Sequence, residues 1–256
     1  MPTSTENTNI PTGWMETTLG EVVDFVVDNR GKTPPVIASG FELLEVNAVS
    51  ESRREPDYSK VSKFVDQETF ENWFRKGTIK KGDVLIPTVG TIGNASYSNE
   101  DRGAIAQNLI ALRVNTDNNG LFLYYFLTDP NIKRALLNLD IGGVQPSIKV
   151  PHLLNMSVLF PSLPEQQAIA SVLSAFDDKI ELLREENKTL EAIGQTMFAE
   201  WFGRYSHERQ EELPEGWRVY ELSEIIDTIN GYAYKGQELV EDSNTALVTL
   251  KSFDRN

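Results

Sequence analysis

The stretch from Ser162 to Tyr205 constrains this chain most. Ile169, Phe176, Leu183, Leu190 and Met197 recur every seventh residue, and Leu173, Ile180, Asn187, Gly194 and Trp201 fill a second seam. This 4,3,4,3 alternation is a coiled-coil heptad rather than the 3.6-residue period of a helix lying on a globular core. Ser162 and Glu165 have capping-box spacing, and Pro164 falls in the first turn, where its missing N–H costs nothing. At a rise of about 1.5 Å per residue, some forty residues make a helix about 60 Å long. Its apolar stripe must meet another helix or stay exposed. Asn187 within the seam is a residue type that fixes register at a cost in stability. The simpler alternative is a helix packed on its own domain. The sharper one is a coiled-coil spacer, with Ile169, Leu173, Phe176, Ile180, Leu183, Asn187, Leu190, Met197 and Trp201 as its pairing interface.

A second regularity organises the rest. Residues 13–25 read GWMETTLGEVVDF and residues 216–228 read GWRVYELSEIIDT, preceded by Ile10-Pro11 and Leu213-Pro214. A period of about 203 residues is too long for a solenoid and marks two copies of a domain start. We therefore expect a disordered tail (1–12), a globular domain (13–161), the long helix (162–205) and the start of a second, incomplete domain (206–256). In the first domain, 22–27, 43–46, 82–86, 95–97 and 105–114 have strand composition. Helices are expected over 68–76 and 121–139, the second broken at Asp129-Pro130. The class is mixed α/β.

Composition excludes several functions. With no cysteine there is no disulfide framework or thiolate site, and two histidines far apart suggest no metal cluster. Neither a signal peptide nor an apolar run of membrane-spanning length is present, so a cytoplasmic location is expected. The net charge of −14 argues against nucleic acid, but it is unevenly spread. Residues 13–160 hold 15 Lys+Arg against 18 Asp+Glu, whereas 161–256 hold 9 against 19. The first domain is near neutral, with local basic clusters that include Arg75-Lys76.

No nucleophile–base pair stands out. Asp177-Asp178 and Glu185-Glu186 read as a solvated helix face, and Val89–Asn94 (VGTIGN) as a turn between strands. Polar loops are more suggestive. Arg30, Lys32 and Thr33 share a glycine-containing loop, Gln145, Ser147 and Lys149 follow two glycines, and Gln107-Asn108 open a strand-like run. Guanidinium, ammonium, amide and hydroxyl groups contact phosphates and base edges, and a side-chain amide can pair with adenine. These eight residues are candidate DNA contacts; the alternative for each is an ordinary polar turn.

In their order, GWMETTLGEVVDF, KKGDVLIPTVGTIGNA, IAQNLIALRVN, GGVQPSI, the run from LFPSLPEQQ to AEWF, and LPEGWRVYELSEI resemble the specificity subunit of type I restriction–modification systems. The resemblance covers most of the chain. It implies a non-catalytic subunit with two target-recognition domains, each reading half of a split double-stranded DNA sequence. Two long antiparallel helices would set their spacing. Methyltransferase subunits carrying S-adenosylmethionine, and restriction subunits, would dock on it; the subunit itself would bind no cofactor. This chain carries one such domain, one helix and the start of a second domain, where doubling the period would give a longer member of about 400 residues. A homodimer through the long helix, reading a symmetric split site, is one expected consequence. The alternative is an acidic coiled-coil adaptor that binds the methyltransferase without reading DNA.

Overall fold

The computed structural model describes residues 11–31, 33–139, 142, 146–205, 213–229, 231, 239 and 248. Along the chain the elements are β1 (Met15–Thr18), α1 (Leu19–Val22), β2 (Val23–Val27), β3 (Phe41–Leu44), β4 (Phe64–Val65), α2 (Gln67–Asn72), β5 (Val84–Pro87), β6 (Ser96–Tyr97), β7 (Ala104–Ile105) and β8 (Leu109–Val114). There follow α3 (Gly120–Thr128), α4 (Pro130–Leu137), α5 (Val150–Leu154), β9 (Ser157–Phe160), α6 (Leu163–Phe202) and α7 (Leu222–Ile225). The chain divides into two units, 1–189 and 190–256. The expected mixed α/β class and long helix are both present, and α6 is a single helix of 40 residues.

The first unit is built on a four-stranded sheet ordered β2-β8-β5-β6, with β8 antiparallel to both β2 and β5. Side chains alternate between the faces of a strand, and here both faces are covered. Ile110 and Leu112 of β8 with Val84 and Ile86 of β5 point into one core, shared with α1, α3 and α5. Leu109 and Ala111 with Leu85 point into a second. That double burial is why these strands read as unbroken apolar runs. The expected strand 105–114 is two strands, β7 and β8. Asn108 separates them in the left-handed region (φ 69°), which asparagine tolerates better than most residues. The helical segment 121–139 does break at the proline: the Asp129 carboxylate accepts from the backbone N–H groups of Asn131 and Ile132 and caps α4. β1 with β9, and β3 with β4 and β7, form two smaller sheets.

One buried ion pair ties the sheet together. Asp83, with 0% exposure, receives Arg113 Nε and Nη2, both at 2.8 Å, and Lys80 N–H at 2.8 Å. Arg113 lies on β8, and Asp83 immediately precedes β5.

The start of α6 belongs to the first unit's core. Gln166 is buried and bonds Asn119 N–H, Asn118 Oδ1 and the Pro161 carbonyl. Ala170 is buried, and Ile169 is half-buried against the same core. Ile169, expected in the pairing seam, packs in part against its own unit's core. Asp177 and Asp178 are corrected. They are not merely solvated, since Asp177 accepts from Tyr125 OH (2.6 Å) and Asp178 from Arg54 Nη2 (2.7 Å). Arg184 Nη1 adds a bond to the Ser52 carbonyl (2.8 Å). These contacts fall on one polar stripe beside the seam. The seam residues Leu173, Phe176, Ile180 and Leu183 stay exposed, Phe176 by 65%.

In the second unit Leu190, Met197 and Trp201 of the seam are exposed, and Phe202 stacks on Trp217 with ring centres 5.8 Å apart. The sequence repeat is also a conformational repeat. Gly13 and Gly216 hold φ of 88° and 87°. Trp14 N–H bonds the Pro11 carbonyl as Trp217 N–H bonds that of Pro214, both at 3.0 Å. Helix α7 falls where the repeat places α1. Leu19 of α1 is 0% exposed, whereas its counterpart Leu222 is 66% exposed.

Candidate nucleic-acid interface

Strand direction creates the site. β2 and β5 both run antiparallel to β8, so their C-terminal ends lie together beside the start of β8: Val27 is opposite Ala111 and Pro87 opposite Leu109. Three connections therefore leave the same sheet edge, namely the described residues 28–31 and 33, 88–94 and 106–108. A fourth segment joins them. Val89 bridges Ser147, Gly90 N–H bonds the Pro146 carbonyl (2.9 Å), and Ile148 N–H bonds the Thr88 carbonyl (2.9 Å). Thr88 N–H bonds the Asn108 carbonyl (2.8 Å), closing the set.

Arg30, Thr33, Gln107, Asn108 and Ser147 thus gather at one edge, although they lie far apart in sequence. Gln107 Nε2 donates to the Gly31 carbonyl (3.2 Å) and to Thr33 Oγ1 (3.0 Å), which joins two of the loops directly. Lys149 is exposed at the N-terminal cap of α5, one residue beyond Ile148. Lys32 and Gln145 lie outside the described residues.

Arg30 is paired within its own loop. Its Nε donates to Asp28 Oδ1 (2.8 Å) and its Nη2 to Asp28 Oδ2 (2.5 Å). The guanidinium hydrogen bonds hold the Asp28 carboxyl below its ordinary range, against the opposing effect of its partial burial. The pair shapes the loop and leaves little net charge there. Gly90 serves the turn: its φ of 88° suits glycine, and its N–H is already engaged by Pro146.

Residues 28–30 also form one wall of a cleft of about 610 Å³ whose other wall is Asn72, Trp73, Arg75 and Lys76. Asn29 Nδ2 donates to the Gly77 carbonyl (3.0 Å) and joins the walls. Sequence reading marks Arg75-Lys76 only as a charge cluster and misses Trp73. The available signal is an aromatic residue interleaved with that cluster. The helix expected over 68–76 stops at Asn72, which leaves 73–77 as a turn.

The geometry offers a polar edge of amides and hydroxyls flanked by a basic cleft. Among the described residues no group of three or more His, Asp or Glu could hold a metal ion, and no helix is long and apolar enough to cross a membrane.

The profile of the family described as "Type I restriction modification DNA specificity domain" matches residues 11–192. The specificity subunit of the type I restriction enzyme MjaIX from Methanocaldococcus jannaschii is 33% identical over 141 residues, covering 51% of this chain and 33% of that protein. The MjaVIII specificity subunit from the same organism is 28% identical over 189 residues, covering 71% of this chain and 44% of that protein. The chain thus spans less than half the length of either relative. The crystal structure of the HsdS subunit from Thermoanaerobacter tengcongensis shares the fold, with a TM-score of 0.51 at 20% identity over 71% of this chain and 41% of that one.

Proposed function

Because this chain belongs to the family of type I restriction–modification DNA specificity domains, we propose that its first unit reads one half of a bipartite double-stranded DNA target. The reading surface is the sheet edge that gathers residues 28–31, 33, 88–94, 106–108 and 146–149. The observation that carries this is the convergence of Thr33, Gln107, Asn108 and Ser147 on that edge. Amides and hydroxyls held by a rigid sheet are suited to base-edge hydrogen bonds, whereas charge alone positions without reading sequence. The chain contributes no catalytic step of its own. Methyltransferase subunits bring S-adenosylmethionine and modify the target, and restriction subunits complete the complex.

We infer that the exposed seam of α6 pairs with a second long helix, and a second copy of this chain is one source of it. Leu173, Phe176, Ile180 and Leu183 remain open while a neighbouring stripe of the same helix is bound to its own unit. An apolar stripe of this length needs a partner in water. The seven-residue spacing specifies another helix.

The test is a gel-shift of the chain with its methyltransferase partner on duplex DNA carrying the methylated motif, beside a scrambled duplex. Preferential binding that is lost when the sheet-edge loops are exchanged is expected. A complex that assembles with the methyltransferase yet shows no DNA preference would favour the adaptor reading, to which the net charge of −14 lends some weight.

A further inference from the structure

The arginines of the first unit are nearly all occupied. Arg30, Arg53, Arg54, Arg102, Arg113 and Arg184 each face a carboxylate. Arg134 bonds the Asn131 side chain and the Pro130 carbonyl. Arg75 is the exception: among the described residues its side chain has no hydrogen-bond or ion-pair partner. Lys76 beside it makes no ion pair among them either, and its charge reaches Asp28 only through space. Both are exposed.

These two cations share the cleft with Trp73, a large aromatic residue left 39% exposed. Its backbone N–H is fixed to the Thr69 carbonyl (2.9 Å), so the ring is carried by the end of α2. Three cations (Arg30, Arg75 and Lys76) stand against one carboxylate (Asp28) on the cleft walls, in a chain whose net charge is −14. The Asn29–Gly77 bond then fixes this basic cleft to the loop that reaches Gln107.

We propose that Trp73, Arg75 and Lys76 form a phosphate-anchoring cleft for duplex DNA, beside the edge that reads the bases. The proposal rests on the DNA-reading function above and adds to it a division of labour. Arg75 and Lys76 neutralise backbone phosphates, Trp73 packs against the deoxyribose beside them, and none of the three selects sequence. Cations that meet phosphates displace condensed counterions. The logarithm of affinity should then fall with the logarithm of salt by about 0.9 per phosphate neutralised.

The experiment measures fluorescence anisotropy of a random-sequence 40-base-pair duplex pool at several salt concentrations. The full chain is used in complex with its methyltransferase partner, as wild type, R75A–K76A, R75K and W73A. For R75A–K76A we expect a salt slope shallower by about 1–2. Across a fourfold range of salt, each phosphate no longer neutralised should reduce the fall in affinity by about 3-fold. The methylated motif, read by methylation-sensitive sequencing of cells carrying each variant, should not change. R75K should keep the wild-type slope, and W73A should weaken binding at every salt concentration with little change of slope. Both cations are exposed, so folding is not at stake in R75A–K76A. A wild-type slope in that variant overturns the cleft while leaving the sheet-edge reading intact, and an altered methylated motif would place these residues among the base readers instead. No binding of any duplex by the wild-type complex defeats the underlying function, and the cleft with it.

Discussion

Replacing either member of the Asp83–Arg113 pair should destabilise the first unit, and the two replacements should cost unequal amounts. Asp83 is fully buried and accepts three hydrogen bonds, two of them from Arg113. The Arg113 side chain is one-third exposed and also donates to the Thr78 carbonyl. Removing one partner of a buried ion pair typically costs about 3–5 kcal/mol, because the other charge is left uncompensated. In R113A the orphan is a carboxylate with no access to water, which keeps only the Lys80 N–H, so the upper end of that range applies. In D83A the orphan is a guanidinium that can turn towards solvent, so the cost falls at the lower end, about 3 kcal/mol. D83N keeps an acceptor for Lys80 and should cost about 2 kcal/mol. For a domain of this size each kcal/mol lowers Tm by about 2–4 °C, so R113A should melt at least about 8 °C below wild type. Urea unfolding followed by circular dichroism gives the order directly: R113A worst, then D83A, then D83N, with the double variant D83A–R113A no worse than R113A alone. Equal costs, or costs below about 1 kcal/mol for both single variants, would refute the reasoning. The pair links the residue before β5 to β8, so its loss should loosen the edge those strands display.

Three further outcomes follow from the same geometry. Q107A removes the bonds to Gly31 and Thr33 at a cost of about 1 kcal/mol; it should leave the fold intact and relax sequence preference in one half of the methylated motif, as read by methylation-sensitive sequencing. R54A breaks the bonds to Asp178 and Ser174, so hydrogen exchange should rise along residues 174–184 of α6 while the sheet stays protected. The Asp28 carboxyl is held below its ordinary value of 3.8 by Arg30. Its contribution to stability is therefore complete above that value and lost as pH falls through the depressed one, and an NMR titration of Asp28 should show the low midpoint return to the ordinary range in R30A.

Much of the architecture is legible because periodicity reports it. The heptad gives α6, and Asp129-Pro130 gives the boundary between α3 and α4. The β7–β8 boundary is hidden because burial on both sheet faces makes 105–114 read as one apolar run, and only the left-handed Asn108 interrupts it. The β1–β9 pairing is hidden too, since its partners lie at opposite ends of the unit. The loops holding Arg30, Thr33, Gln107 and Ser147 can be singled out by residue type, but their meeting at one edge depends on strand order, which local sequence does not carry. Asp28 lies only two residues from Arg30, yet reading the loop for its donors alone overlooks their pairing. Trp73 is overlooked when 68–76 is read as one helix, because α2 ends at Asn72.

The repeat shows how far such reading can extend. Residues 216–228 match 13–25 in sequence, and the turn from Pro11 to Trp14 and from Pro214 to Trp217, with the short helix after it, recurs in backbone. Burial does not recur: Leu19 and Val22 pack against their domain, whereas Leu222 and Ile225 are exposed. Local conformation follows local sequence, while burial follows the elements packed around it.

The central claim is that the sheet edge reads DNA. It is met most directly by methylome sequencing of cells expressing this chain with its methyltransferase partner, first as wild type and then with Thr33, Gln107 and Asn108 replaced together by alanine. The account predicts a split methylated motif whose bases change or lose definition on that replacement while the spacer length between the halves is kept. A motif unchanged in both halves, from a variant that remains folded and bound to its methyltransferase, would contradict it.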